Sequence, residues 1–194
     1  IRGGRLLVAA NRIAAMGYAI PGSVVAVGIL IPFAWLDNAI NTWLHTHYDT
    51  IIGLVFSGTA FILIYAYVVR FLAVSFNAVE ASLGKVTPSM DAASRTLGQT
   101  AGGTLRRIHT PLMRSSLLAA GILVFVDVMK ELPATIILRP FNFDTLAVRA
   151  HSLASDERLA EASTASLTIV VVGILPVILL SLAMRRARPG SQAE

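Results

Sequence analysis

Ala162-Ser-Thr-Ala-Ser-Leu-Thr-Ile-Val-Val-Val-Gly-Ile-Leu-Pro-Val-Ile-Leu-Leu-Ser-Leu-Ala-Met184 runs its whole length without a charge. A helix needs about 20 mostly apolar residues to cross a hydrocarbon core about 30 Å thick, so this stretch predicts a membrane span over about 163–184. Two more uncharged stretches, Ile13 to Leu36 and Thr50 to Val69, predict spans over about 17–36 and 51–72. A fourth, shorter, is expected over 112–129, opened by Arg114 and closed by Asp127. The expected fold class is all-α: a polytopic membrane helix bundle, one domain over 1–194, with four spans visible.

Composition agrees. Of 194 residues, 55% are apolar and 14% charged, against about 25% charged in soluble chains, and the mean hydropathy is +0.71. Cysteine is absent, which excludes disulfide scaffolds, Cys-ligated zinc, Fe–S clusters and thiol catalysis. The first stretch follows Arg2, Arg5 and Arg12, yet it is too long for a secretory h-region, carries Pro21 and Pro32, and precedes further spans. Because the chain opens on Ile1 rather than Met, a fragment or processed product is expected.

A net charge of +5 and a pI near 10.2 would suggest nucleic acid as the partner of a soluble chain. Here the charges sort by side. Short cytoplasmic loops carry the excess of Lys and Arg. Arg2, Arg5 and Arg12 stand without an acid, and Arg70, Lys85, Arg95, Arg106, Arg107 and Arg114 outweigh Glu80 and Asp91. Arg185, Arg186 and Arg188 face only Glu194. The segment from Asp37 to Asp49 has no base, and bases and acids nearly balance from Lys130 to Glu161. Both ends and the 70–114 segment are therefore expected in the cytoplasm, and 37–49 and 130–161 outside. The basic pI then reports topology; lipid is the expected partner and nucleic acid is not.

The most informative polar segment is 87–111. Pro88 suits the first turn of a helix with Thr87 as its cap, and Asp91 sits near the positive helix end. Gly98 is a natural stop. A second short helix from about Thr100 is expected to end near Thr110, ahead of Pro111. Ala92, Ala93 and Gly98 offer little side chain, so another protein surface could approach the backbone there. A solvated loop joining two spans is the plainer reading of the spacing.

These residues resemble a known signature. Permeases of binding-protein-dependent ABC importers carry Glu-Ala-Ala-x3-Gly-x9-Ile-x-x-Pro, and this chain reads Asp91-Ala92-Ala93-x3-Gly98-x9-Ile108-x-x-Pro111. Every spacing matches; Asp stands for Glu and shortens the carboxylate's reach. Gly17-Tyr-Ala-Ile-Pro-Gly-Ser-Val-Val-Ala26 is similar to the approach to a core helix of these permeases. Asp127-Val-Met-Lys-Glu-Leu-Pro-Ala-Thr-Ile-Ile-Leu-Arg-Pro-Phe-Asn-Phe-Asp-Thr-Leu-Ala147 and Leu153-Ala-Ser-Asp-Glu-Arg-Leu-Ala-Glu-Ala162 resemble the iron(III) uptake subfamily. The likeness covers about Arg12 to Met184 and matches most of a C-terminal half.

The resemblance implies a permease subunit of the bacterial cytoplasmic (inner) membrane, itself no enzyme. Its implied partners are an ABC ATPase that binds ATP and Mg, an external periplasmic binding protein, and a second permease half or subunit. The subunit itself would hold no cofactor. It implies that the 88–111 segment docks on the ATPase: Asp91 makes a polar contact, Ala92, Ala93 and Gly98 permit close approach, and Ile108 with Pro111 fix the exit into the third span. Thiamine, sulfate or a polyamine are alternative cargoes, and an ion-coupled carrier or channel is the alternative class.

Asp127, Lys130 and Glu131 lie at helical spacings of three and four, so the lysine is expected to pair with both acids. Charges at membrane depth usually face a bundle interior or a water-filled cavity. The cluster is a candidate external gate or translocation path, weighed against an interfacial pair with Lys130 snorkelling to headgroups. After Pro133, Ala134 to Leu138 could fold back as a re-entrant piece. His45 and His47, beside Asp49, are expected to be solvated loop residues, not metal ligands. Gly98 to Thr104 lacks a phosphate-loop lysine, and Ser82-x-x-Lys85 matches an acylating pattern by coincidence. Gly28, Gly53, Ser57 and Ala119-Ala-Gly121 read as small residues that let spans pack closely.

Overall fold

A computed structural model describes residue 12 and residues 17–84 and 86–186. Of the groups used above, Arg2, Arg5, Ile13, Lys85, Arg188 and Glu194 lie outside the described residues, as do the side chains of Arg185 and Arg186.

Among the described residues every regular element is helical, and four helices are long and apolar enough to cross a membrane. Helix α1 (Gly22–Tyr48) buries Gly22, Val25, Ala26 and Ile29, a three-to-four spacing that makes one face. Helix α2 (Ala60–Leu83) answers with Ile62, Leu63 and Ala66. The short helices α3 (Pro88–Thr96) and α4 (Ala101–Thr104) follow. A π-helical turn over Leu105–His109 then leads into α5 (Thr110–Met129). Next come α6 (Pro133–Leu138), α7 (Leu146–Ser155) and α8 (Leu159–Arg186). Ala134 and Leu138 of α6 insert between α1 and α2, completing a core with Val25, Ala26, Ile29, Ile62, Leu63 and Ala66. Helix α5 lies along α2, α7 packs on α8, and α8 also meets α5.

The first two helices depart from the sequence expectation for one physical reason. Asp37 was expected to end a span; it is instead buried inside α1, where its carboxylate accepts N–H bonds from Val55 (3.1 Å), Phe56 (3.0 Å) and Ser57 (2.8 Å). One turn on, Asn41 accepts from Ile52 and Gly53 and donates to the Gly53 carbonyl at 2.6 Å. These bonds satisfy loop amides that would otherwise go unpaired. The chain therefore folds back along α1 as a loop, and α2 begins at Ala60 rather than near 51. His45 and His47 sit on the last turn of α1, not in a loop: His45 meets Asp49 at 3.2 Å, and His47 stacks on Trp43.

Small residues pack only partly as expected: Ala120 and Ser57 are buried, but Gly28, Gly53 and Gly121 are not in close contact. A Cβ on Gly28 or Gly121 would meet nothing within 4 Å, while Gly53 belongs to the 49–59 loop. Close approach falls at Gly17 and Gly22 instead. A Cβ on Gly17 would lie 2.5 Å from the Val69 carbonyl oxygen. The long helices keep exposed apolar stripes, such as Leu167, Val171, Leu175 and Leu179 on α8, as a hydrocarbon solvent allows.

Candidate functional site: a helical knob and a buried charge cluster

Residues 88–111 form a knob whose geometry follows from local signals. Pro88 opens α3 and Thr87 takes the N-cap position as expected, but its hydroxyl makes no cap bond and pairs instead with Ser89 Oγ at 2.8 Å. At the far end Gly98 takes φ +74°. The Gly98 N–H bonds to the Arg95 carbonyl (2.9 Å) and the Gln99 N–H to the Ser94 carbonyl (3.1 Å), a Schellman stop that a Cβ-bearing residue fits poorly. Thr100 then caps α4, its hydroxyl accepting from Gly103 N–H at 3.2 Å. The two short helices are clasped by buried Ser94 and Thr104, whose hydroxyls lie 2.6 Å apart.

The second knob helix does not stop ahead of Pro111. It passes through the π turn into α5, giving one helix from Ala101 to Met129. The Thr110 N–H bonds to the Leu105 carbonyl, five residues back. A proline ring collides with the carbonyl four residues before it, here that of Arg107, and the wider turn relieves that clash. Ala92, Ala93, Gly98 and Pro111 are exposed, and Ile108 is half-buried. Asp91 is not free: its Oδ1 lies 2.7 Å from His109 Nε2. Leu97, at the tip, is 79% exposed.

The charge cluster is arranged otherwise than expected. Among the described residues Lys130 pairs with Asp127 and not with Glu131, at 2.9 Å, and the hydrogen bond to that carboxylate holds its ammonium above the usual lysine range. Glu131 turns away because α5 ends at Met129 and the chain leaves helical geometry at Lys130. Glu131 is buried, with Oε2 3.2 Å from Arg70 Nε and Oε1 accepting from Ala134 N–H. Arg70 also donates to the Ile20 carbonyl at 3.0 Å. Gly22 completes the junction, since a Cβ there would lie 2.5 Å from Glu131 Oε1 and 2.8 Å from Arg70 Nη1. Around it, Tyr18 reaches Asp127 at 3.4 Å, the Tyr67 and Thr135 hydroxyls lie 2.5 Å apart, and Thr135 donates to the Glu131 carbonyl.

Sequence reasoning missed Arg70, which it counted with the polar segment that follows; α2 carries the residue well inside the helix. The signal was present in Ala73, Val74 and Phe76, apolar residues that continue beyond the arginine. His109 was missed as well, because it falls at one of the two unspecified positions between Ile108 and Pro111.

The fold and these sites define a polytopic helical membrane protein with a polar knob between two spans. No family model matches the chain. It is 26% identical over 170 residues to the Fe(3+)-transport system permease protein FbpB 2 of Haemophilus influenzae, covering 88% of this chain and 30% of that one. Over 174 residues it is 28% identical to PhnV of Salmonella typhimurium, a permease assigned provisionally to 2-aminoethylphosphonate transport, covering 90% of this chain and 59% of that one. A ferric transport permease assigned on the same provisional footing, FbpB 1 of Haemophilus influenzae, is 32% identical over 121 residues, covering 62% and 17%. The resemblance read from the sequence is thus borne out: these relatives are transport-system permeases. The chain spans from less than a fifth to about three-fifths of their lengths.

Proposed function

We propose that the chain is the membrane-embedded permease part of an ATP-driven importer of the bacterial inner membrane, with the 88–111 knob on the cytoplasmic side. ATP and Mg belong to a partner ATPase, and this chain carries no covalent step. ATP binding draws two ATPase subunits together, and the knob passes that movement to the spans, so that the pathway opens alternately to an external binding protein and to the cytoplasm. The observation that carries this reading is the unbroken helix from Ala101 to Met129. A displacement of α4 therefore passes directly into α5, and α3 is tied to α4 across the Gly98 turn by the Ser94–Thr104 contact.

Iron(III) is the proposed cargo, supported by the two ferric relatives and by the 127–147 and 153–162 stretches. The PhnV relative supports a phosphonate as the second reading. Asp127 and Glu131 suit an ion relay less well, because each already faces its own cation. We place the Arg70–Glu131 junction, with Asp127 and Lys130 beside it, at the external gate.

Co-purification of the knob-bearing chain with an ATPase subunit tests the class, and uptake of labelled Fe(3+) against labelled 2-aminoethylphosphonate, each with the cognate binding protein, tests the cargo. Gly98→Trp, which puts a bulky side chain where close approach is needed, is expected to uncouple ATP hydrolysis from transport. An ATPase that remains fully stimulated in that variant counts against the assignment.

A further inference from the structure

We infer that His109 is a positioning residue of the knob, holding one oxygen of Asp91 so that the other is aimed at a donor group on the docked ATPase; this rests on the importer reading. Asp91 lies in the first turn of α3 and His109 at the end of the π turn, so their contact joins the two ends of the knob. Among the described residues His109 is the one basic group within ion-pair distance of Asp91. The imidazole is largely buried at 16% exposure, whereas the Asp91 side chain keeps 36%. The bond therefore occupies Oδ1 from the more buried His109 side, while the carboxylate as a whole keeps solvent access. An aspartate has a short reach and two freely exchanging oxygens; fixing one of them turns it into a directed acceptor. The π turn serves the same end, because it sets the direction in which His109 leaves the helix. Ser94 and Thr104 hold the helices together independently of this contact.

The test uses the complete transporter in nanodiscs and reads the dissociation constant of its ATPase subunit. Asp91→Ala and His109→Ala are each expected to weaken binding about tenfold, the loss of one hydrogen bond to a charged group, and the double variant should be no weaker than Asp91→Ala alone. His109→Gln, whose amide nitrogen reaches the place of Nε2, should return to within about twofold of the native chain, and His109→Asn, one bond shorter, should not. Additive losses in the double variant, or an unaltered constant in His109→Ala, overturn the proposal. If alanine unfolds the knob, seen as fast amide exchange throughout 88–104, the glutamine and asparagine variants decide, and equal affinities for them overturn it. A native chain that retains no ATPase sinks the importer reading and the inference together, whereas the mutant patterns sink the inference alone.

Discussion

Arg70 and Glu131 are each tolerable inside a helical bundle only because of the other. Removing one partner of a buried pair leaves an unpaired charge and costs about 3–5 kcal/mol, whereas replacing both with apolar groups of similar size is often neutral. Arg70→Ala should therefore lower the melting temperature in detergent more than Arg70→Met with Glu131→Leu, even though the double variant alters more of the molecule. Gly22→Ala is expected to resemble the single variant, since its methyl would sit against both charges. Asp37 makes a parallel case: Asp37→Ala strands three amides, and faster exchange at 55–57 is the expected sign. The residue types of these sites were partly legible in the sequence and their partners were not. The Asp91 signature and the acids at 127 and 131 were found by spacing. Arg70 and His109 were missed because pairing across elements depends on three-dimensional approach, which no local periodicity encodes.

At the scale of elements, the helical class and the knob's stop at Gly98 could be read from the chain, because a run of apolar residues and a positive-φ glycine act locally. Boundaries failed where polar groups served the backbone. Asp37 looked like the end of a span and is the anchor of a returning loop; Pro111 looked like a break and is accommodated by a π turn. That turn carries a prediction of its own. Inserting one alanine between Arg114 and Ser115, just past the turn in α5, should rotate the knob about 100° relative to the rest of the span, given 3.6 residues per turn. The variant is expected to keep its helix content by circular dichroism and to lose the ATPase; unchanged ATPase binding would show that the turn's register is immaterial.

Across the whole molecule, the chain offers a clean test of which side each end of the bundle faces. It contains no cysteine, so an engineered thiol is labelled without competition from within these 194 residues. Leu97→Cys at the knob tip and Phe141→Cys, at a site 93% exposed, should be labelled by a membrane-impermeant maleimide from opposite sides, the second in intact cells and the first only after they are opened. Labelling of both from one side would overturn the proposed orientation. The junction at Gly22 also bears on how the protein is made. Arg70 emerges from the ribosome with α2, before α5 and α6 exist, and a lone arginine at the centre of an inserting helix costs about 2.5–3.5 kcal/mol. Until Glu131 arrives, the α1–α2 hairpin carries an unneutralised guanidinium, so its final seating waits on synthesis of the chain through α6.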